Sequence, residues 1–170
     1  MQSQSFFDEY LTIYFSIFVS LAFLEFVYDH FKHKNRDIKE AFANIGVAIL
    51  TRAIGQTFTA IILFMVCSFL YKHRIYYLPT NITLLIIFTF LCVDLSYYIS
   101  HLASHKIKIF WCIHSIHHSS HEFNLLTAVR INGFMPIVDL FFFTWPALLG
   151  LSPDWIIGAR ILIISSQFLF

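Results

Sequence analysis

Charged residues are scarce in this sequence. Only 12% of its 170 residues are Asp, Glu, Lys or Arg, whereas 58% are hydrophobic and 21 residues are Phe. A soluble domain is closer to about one-quarter charged and about one-half apolar. The chain therefore carries more apolar surface than a domain of this size can bury, and we predict that lipid is its solvent.

Basic runs, paired cysteines and a leader-like N-terminus are also missing. With 11 Lys and Arg against 10 Asp and Glu, the net charge is +1, and no Lys/Arg-rich run indicates a nucleic-acid partner. Cys67, Cys92 and Cys112 have no C-x-x-C spacing, which favours neither a disulfide framework nor a thiolate zinc site. The first ten residues lack the basic segment of a cleaved signal peptide.

Apolar segments suited to crossing a bilayer recur along the chain. A hydrocarbon core of about 30 Å needs about 20 apolar residues in a helix. The predicted spans are residues 10–28, 54–71, 82–100, 133–151 and 155–170, with a turn at LSPD before Pro153 and an interfacial or pore-facing segment at 41–51. We therefore expect an all-α, integral membrane helical bundle that forms a single domain over residues 1–170.

Lys and Arg are distributed unevenly between the predicted loops. The 29–40 loop contains four of them, and the region that follows the third span adds Lys106, Lys108 and Arg130. If the first three spans all cross, these two regions share a side, and an excess of Lys and Arg marks the cytoplasmic side. We expect this region at the cytoplasmic boundary of a bacterial inner membrane or the endoplasmic reticulum.

Five of the nine histidines fall within residues 101–120, HLASHKIKIFWCIHSIHHSS. Residues spaced i and i+4, or i, i+3 and i+4, share one face of a helix. The linker KIKIFWC is short enough for a hairpin or a bend to bring the two faces together. Because neutral imidazole is the commonest metal ligand, the pattern predicts one metal site. Its predicted ligands are His101, His105, His114, His117 and His118.

Other chemistries stay open on the residues alone. A zinc hydrolase would require a carboxylate base in a box such as H-E-x-x-H, and the sequence contains none. Haem ligation by paired histidines from two helices is a weaker choice. A membrane module that binds metal or has a structural role without catalysis remains a full alternative.

Characteristic motifs surround these histidines. D-x-x-Y-Y (Asp94 to Tyr98) precedes the H-x-x-x-H box, W-x-x-H-x-x-H-H-S-S follows it, and N-x-x-T-A-x-R runs from Asn124 to Arg130. Together, over about residues 94–130, they resemble the fatty acid hydroxylase/sterol desaturase superfamily. The segment HHSSHEFNLLTAVR is most similar to the alkylglycerol monooxygenase-like branch.

This resemblance implies an integral-membrane, non-haem diiron enzyme that uses O2 to hydroxylate or desaturate an ether lipid, a fatty acyl chain or a sterol. The five histidines would be its catalytic residues and metal ligands, with two irons as the cofactor. No G-x-G-x-x-G motif is present, so the electrons would come from a separate donor, a cytochrome b5-like protein or a ferredoxin with its reductase. Side chains expected to support the ligands are Asp94, His121, Asn124 and Arg130.

The chain also departs from the family pattern. Superfamily members have a further H-x-x-H-H cluster downstream, whereas none follows His118 here. Leu102 and Lys106 stand where relatives commonly have Arg and, in the ether-lipid branch, an acid. We therefore expect the intact protein to continue beyond Phe170 with the missing histidines. We expect the 170-residue chain alone to bind fewer than two irons and to turn over no lipid.

Overall fold

The computed structural model describes residues 2–33, 38–51, 57–78, 81–119, 125 and 134–166. All regular structure in these ranges is helical, which confirms the all-α prediction for them. The helices are α1 (Gln2–His33), α2 (Ile38–Leu50), α3 (Thr57–Lys72), α4 (Ile82–Lys106), α5 (Lys108–His114), α6 (Met135–Phe142), α7 (Trp145–Leu148) and α8 (Pro153–Ser166), with a 3-10 turn at His117–Ser119.

One helix of the described ranges, α4, is long and apolar enough to cross a membrane. Its 25 residues correspond to about 37 Å at a rise of 1.5 Å per residue. Asn81 begins it, because the Asn81 side-chain oxygen accepts hydrogen bonds from the backbone N–H groups of Thr83 (3.0 Å) and Leu84 (3.2 Å). The predicted span at 82–100 thus lies within α4, which continues for another six residues to Lys106.

Small side chains, most of them polar, make up the buried residues of α4, and α8 is one of the helices that pack against it. Thr89, Ser96 and Ser104 are buried, and each hydroxyl donates to the backbone carbonyl four residues earlier at 2.7–2.8 Å. These hydroxyls are therefore satisfied within α4 itself. Small side chains let helix backbones approach closely, which suits the packing of α8 against α4.

The apolar core lies among α3, α4 and the segment from α6 to α8. Its fully buried side chains include Leu63, Val93, Phe143, Leu151 and Ile156. Cys67 and Cys92 belong to the same core, and all three cysteines are free. This core holds α4 in place and therefore fixes the position of its C-terminal end, where the histidines begin.

The predicted span at 133–151 is wrong as a single helix. The structure has α6 and α7 there, separated at Phe143 and Thr144. Proline lacks an N–H group and its ring clashes with the carbonyl four residues earlier. For Pro146 that carbonyl belongs to Phe142, the last residue of α6. The predicted break at LSPD is confirmed, since α8 begins at Pro153, but the turn itself lies just before it, at Leu149 and Gly150.

The remaining predicted spans overlap helices of the structure. Residues 10–28 fall inside α1, residues 57–71 of the second span fall inside α3, and the segment at 41–51 falls largely in α2. The last predicted span begins within α8, and residues 167–170 lie outside the described ranges. Among the described residues only α4 is long and apolar enough to span a bilayer, and the membrane bundle itself stays a prediction.

Candidate metal centre

A sharp bend at Ile107 places the two histidine boxes side by side. His101 and His105 lie in the last two turns of α4, and α5 begins at Lys108, directly after Ile107. Ile107 has extended backbone angles (φ −103°, ψ 120°), so it ends one helix and precedes the next. Because α5 then packs against α4, His114 at its end returns towards His101.

The five predicted ligands form one cluster of rings. Ring centroids are 4.7 Å apart for His101 and His105, and 4.8 Å apart for His101 and His114. His118 lies 4.9 Å from both His105 and His114. His117 completes the cluster at 5.6 Å from His114 and 5.2 Å from His118. The sequence places these side chains on two separate elements, and the bend makes them neighbours.

The nitrogen separations fit a shared metal ion. The Nε2 atoms of His101 and His105 are 3.2 Å apart, as are those of His114 and His118. Two nitrogens at about 2.1 Å from one ion, at the angles of octahedral or tetrahedral coordination, would be about 3.0–3.4 Å apart. One ligand nitrogen from each of His101, His105 and His114 lies within 4.8 Å of the other two. The donor set present therefore fits a metal.

Burial favours the neutral, metal-binding form of His114 and His118. His114 is 7% exposed, and burial lowers its pKa to about 3, with further lowering from the neighbouring rings of His101, His118, His117 and His105. Burial also lowers the pKa of His118, with His105 adding to the effect. A neutral imidazole offers a nitrogen lone pair, whereas a protonated one repels a cation.

Aromatic side chains border the cluster on two sides. Tyr97 stacks on His101 with a centroid distance of 5.8 Å and an interplanar angle of 23°. Trp111 stacks on His118 at 5.7 Å and also contacts His105 at 5.5 Å. From sequence alone, Tyr97 and Trp111 are better interpreted as interfacial belt residues. In the structure both side chains pack directly against histidines of the cluster.

Of the four predicted supporting residues, the structure describes Asp94. Asp94 lies on α4 seven residues before His101 and is exposed, and its role as a hydrogen-bond acceptor for a ligand stays a prediction. His121, Asn124 and Arg130 lie outside the described residues. The metal-binding role of the five histidines likewise stays a prediction, although their convergence is a feature of the structure.

Two long-range polar contacts escaped the sequence analysis. Asp139 of α6 is 5% exposed and forms an ion pair with Arg160 of α8. The signal was present, because a charged residue inside a predicted span is expensive and therefore informative. Glu25 of α1 accepts a hydrogen bond from the backbone N–H of Leu125 at 2.8 Å. That bond connects α1 to the chain seven residues after the second histidine box.

The fold and the cluster define a helical protein with a candidate five-histidine metal centre. Residues 86–170 match the family model described as fatty acid hydroxylase, and the chain belongs to the fatty acid hydroxylase family. The matched region begins in α4 and includes both histidine boxes.

Two curated relatives of the chain carry the same name. The chain is 28% identical to the alkylglycerol monooxygenase of Xenopus tropicalis over 149 residues, which cover 86% of this chain and 32% of the relative. It is 32% identical to that of Homo sapiens over 143 residues, covering 81% and 31%. The chain thus spans about a third of the length of these relatives. The matches confirm the superfamily and the alkylglycerol monooxygenase-like branch that the motifs predict. No solved structure matches the chain significantly.

Proposed function

We propose that the chain contributes the histidine centre of a membrane-bound, O2-dependent lipid monooxygenase, with iron held by His101, His105, His114, His117 and His118. One observation carries the proposal: five imidazoles from two helix ends converge with nitrogen separations of 3.2 Å within each i, i+4 pair. A hydrogen bond between two neutral rings could have the same length, but it would not explain why five of the six ring pairs among His101, His105, His114 and His118 have centroids within 5 Å. Family membership supports a lipid-modifying oxygenase.

The proposed substrate is an alkylglycerol, an ether lipid. Two relatives that align with more than four-fifths of the chain are named alkylglycerol monooxygenase, and that substrate class is a narrower proposal than the lipid hydroxylation typical of the family. A fatty acyl chain or a sterol is the alternative substrate class. O2 is the proposed co-substrate, and a separate electron donor is the proposed partner.

The position of the centre suits a lipid substrate. We place α4 across the bilayer, which puts His101 and His105 in its last two turns, at the membrane boundary. A lipid could then present its polar end to the histidines while its hydrocarbon chain stays among apolar side chains. The cytoplasmic orientation of this boundary belongs to the same proposal.

In the proposed chemistry, individual residues of this chain would have specific roles. When bound, iron would supply the activation of O2 and the acceptance of electrons. The neutral imidazoles of His114 and His118 would hold the ion through their nitrogen lone pairs, which their lowered pKa values keep available. Tyr97 and Trp111 would orient the rings they stack on and exclude water from the oxidising centre.

Metal analysis of the purified chain tests the proposal. We expect iron in the chain, at fewer than two ions per molecule because five imidazoles are too few to hold two irons and keep positions open for O2. His105→Ala and His118→Ala should each lower the bound iron by at least half. His73→Ala is the matched control, since His73 is exposed at the end of α3 and belongs to no histidine pair. Equal iron in all three variants, or zinc alone, would overturn the proposed centre.

Activity is a separate measurement. An alkylglycerol, O2 and a chemical reductant are given to the iron-loaded chain, and the oxidised lipid is quantified. We expect no turnover by the 170-residue chain, and turnover by a longer protein that contains it. Iron binding without turnover in either protein would favour the alternative, a membrane module that binds metal without catalysis.

A further inference from the structure

The loop between α3 and α4 holds a cation between two aromatic rings. In this loop, residues 72–78 (KHRIYYL), the Arg74 guanidinium carbon lies 4.5 Å from the ring centroid of Tyr71 and 4.4 Å from that of Tyr77. Arg74 Nη1 also donates to the backbone carbonyl of Tyr71 at 3.1 Å. We call residues 72–78 the Arg74 loop. Stacking and the hydrogen bond fix the plane of the guanidinium.

The Arg74 loop is anchored to the body of the protein. The Ile75 N–H donates to the Leu148 carbonyl at 2.8 Å. Gly150 has φ +100°, and a Cβ there would lie 2.4 Å from the Tyr76 carbonyl oxygen, so only glycine permits this approach. The side chains of Ile75, Tyr76 and Tyr77 are nevertheless 66%, 61% and 82% exposed. A fixed backbone thus presents apolar and aromatic side chains outward.

An apolar groove continues from this loop along α4. Its cavity volume is about 310 Å³, near the lower end of the roughly 300–1,000 Å³ common for ligand sites. Leu78, the last residue of the Arg74 loop, lines the groove and follows Tyr77 directly. The other lining residues lie on the N-terminal half of α4: Leu84, Leu85, Ile87, Phe88 and Leu91.

We propose that the Arg74 loop and this groove bind one anionic phospholipid, with its phosphate on Arg74 and one acyl chain in the groove. The charge of the loop selects the occupant, because residues 72–78 contain Lys72 and Arg74 and no Asp or Glu. A planar guanidinium that lies over two tyrosine rings can still present N–H groups to a phosphate in fork geometry. Exposed Tyr76 and Tyr77 suit the headgroup level of a bilayer.

The lipid site is distinct from the histidine centre. Ile82, where α4 begins, precedes His101 by 19 residues, which is about 29 Å along the helix. A phospholipid held at the Arg74 loop therefore lies at the opposite end of α4 from the proposed oxidation site. It would fix the depth of α4 in the membrane rather than serve as substrate. The inference requires the proposed membrane location, but not the metal.

Lipid selectivity tests this inference. The 170-residue chain is reconstituted in phosphatidylcholine bilayers with a trace of spin-labelled phosphatidylglycerol or spin-labelled phosphatidylcholine, and electron paramagnetic resonance gives the immobilised fraction of each. We expect phosphatidylglycerol to associate about fivefold more strongly with the wild type. Arg74→Gln should bring this ratio close to one, and Arg74→Lys should retain only part of it because the planar fork is lost.

Matched variants separate the headgroup from the chain. Lys32→Gln removes another exposed cation beside a tyrosine ring, Tyr28 at 4.9 Å, and should leave the selectivity unchanged. Leu91→Trp fills the groove and should lower the immobilised fraction of both lipids at an unchanged ratio. Inorganic phosphate should not compete at millimolar concentration, since it lacks an acyl chain.

Defined outcomes would overturn the lipid site. Equal association of both lipids with the wild type would do so without any variant, and so would full selectivity in a folded Arg74→Gln chain, as judged by its circular dichroism. Competition by inorganic phosphate would show a simple anion site instead. Iron is measured on the same samples, so a loss of iron with intact selectivity would count against the proposed oxygenase and leave the lipid site standing.

Discussion

At the scale of single residues, His114 is both buried and in contact with the other histidines of the centre. It is the last residue of α5 and 7% exposed, and its ring centroid lies within 5.6 Å of those of the four other clustered histidines. An isolated histidine in such a place would be an ordinary buried ring. Because four other imidazoles surround it, a neutral His114 can instead take part in binding a metal.

We expect the metal-free chain to lose stability as the pH falls from about 6.5 towards 3. The unfolded chain protonates this imidazole near its ordinary pKa of 6.5, whereas burial lowers the folded pKa of His114 to about 3. In that window the unfolded state binds more protons, so the free energy of unfolding decreases on acidification. Denaturant unfolding in detergent with a chelator measures it. His114→Phe should flatten the dependence and His73→Gln should not, whereas a level profile in the wild type would contradict a buried neutral His114.

The ion pair between Asp139 and Arg160 could not be predicted from the sequence. The histidine pattern can be recognised in the sequence because its members are close together and are all potential metal ligands. The two charges of the pair stand 21 positions apart, each alone in an apolar segment. Only the packing of α6 and α8 around α4 shows that the two charges meet. A single charged residue in an apolar run does not indicate which residue it will pair with.

Removing one member of this pair should destabilise the protein strongly. Asp139→Asn leaves the Arg160 guanidinium, which is 20% exposed, without its carboxylate partner, and such a loss costs about 3–5 kcal/mol. Asp139→Leu combined with Arg160→Met should recover most of that loss, because no charge stays buried. Asp154→Asn, at an exposed carboxylate in the first turn of α8, is the control. Unfolding curves in detergent micelles give the values, and a loss below about 1 kcal/mol for Asp139→Asn would show that the pair contributes little.

At the scale of elements, the lengths of the apolar runs predicted helices well and their interruptions poorly. The apolar run at 82–100 became α4, and the last helix begins at Pro153, where the sequence indicated a break. The run at 133–151 divided into α6 and α7, because the ring of Pro146 conflicts with the end of α6. The bend at Ile107 was expected only as a hairpin or bend somewhere in KIKIFWC. No proline or glycine marks it, and the packing of α5 on α4 determines where it falls.

Two glycines in different elements should respond oppositely to alanine. Gly150→Ala should destabilise the protein by more than about 1 kcal/mol, because φ is +100° and the new Cβ would meet the Tyr76 carbonyl oxygen at 2.4 Å. Gly46→Ala, in α2 with nothing within 4 Å of the new Cβ, should stabilise it by up to about 1 kcal/mol. Thermal unfolding of both variants in the same detergent tests this. A Gly150→Ala chain as stable as the wild type would mean that the Arg74 loop is not anchored as described.

At the scale of the whole molecule, composition predicted the environment before any element was known. A chain with 58% hydrophobic residues leaves large apolar side chains exposed even when folded. Phe23, Phe58, Met65 and Leu91 are all more than 60% exposed. Such exposure over several helices is unfavourable in water and expected against lipid. If α4 crosses the bilayer, its two ends lie near opposite membrane surfaces, because α4 separates the Arg74 loop from the histidine cluster by most of a bilayer's thickness.

Labelling of single cysteines should place the two ends of α4 on opposite sides of the membrane. In a Cys112→Ser background, which removes the exposed native thiol and keeps the buried Cys67 and Cys92, Ser119→Cys reports on the histidine end and His73→Cys on the other. Both positions are exposed. A membrane-impermeant maleimide should react with Ser119→Cys only from the cytoplasmic side, because the 29–40 loop and the histidine region carry the excess of Lys and Arg. It should react with His73→Cys only from the opposite side. The reverse pattern would invert the proposed orientation, and reaction of both from one side would mean that α4 does not cross.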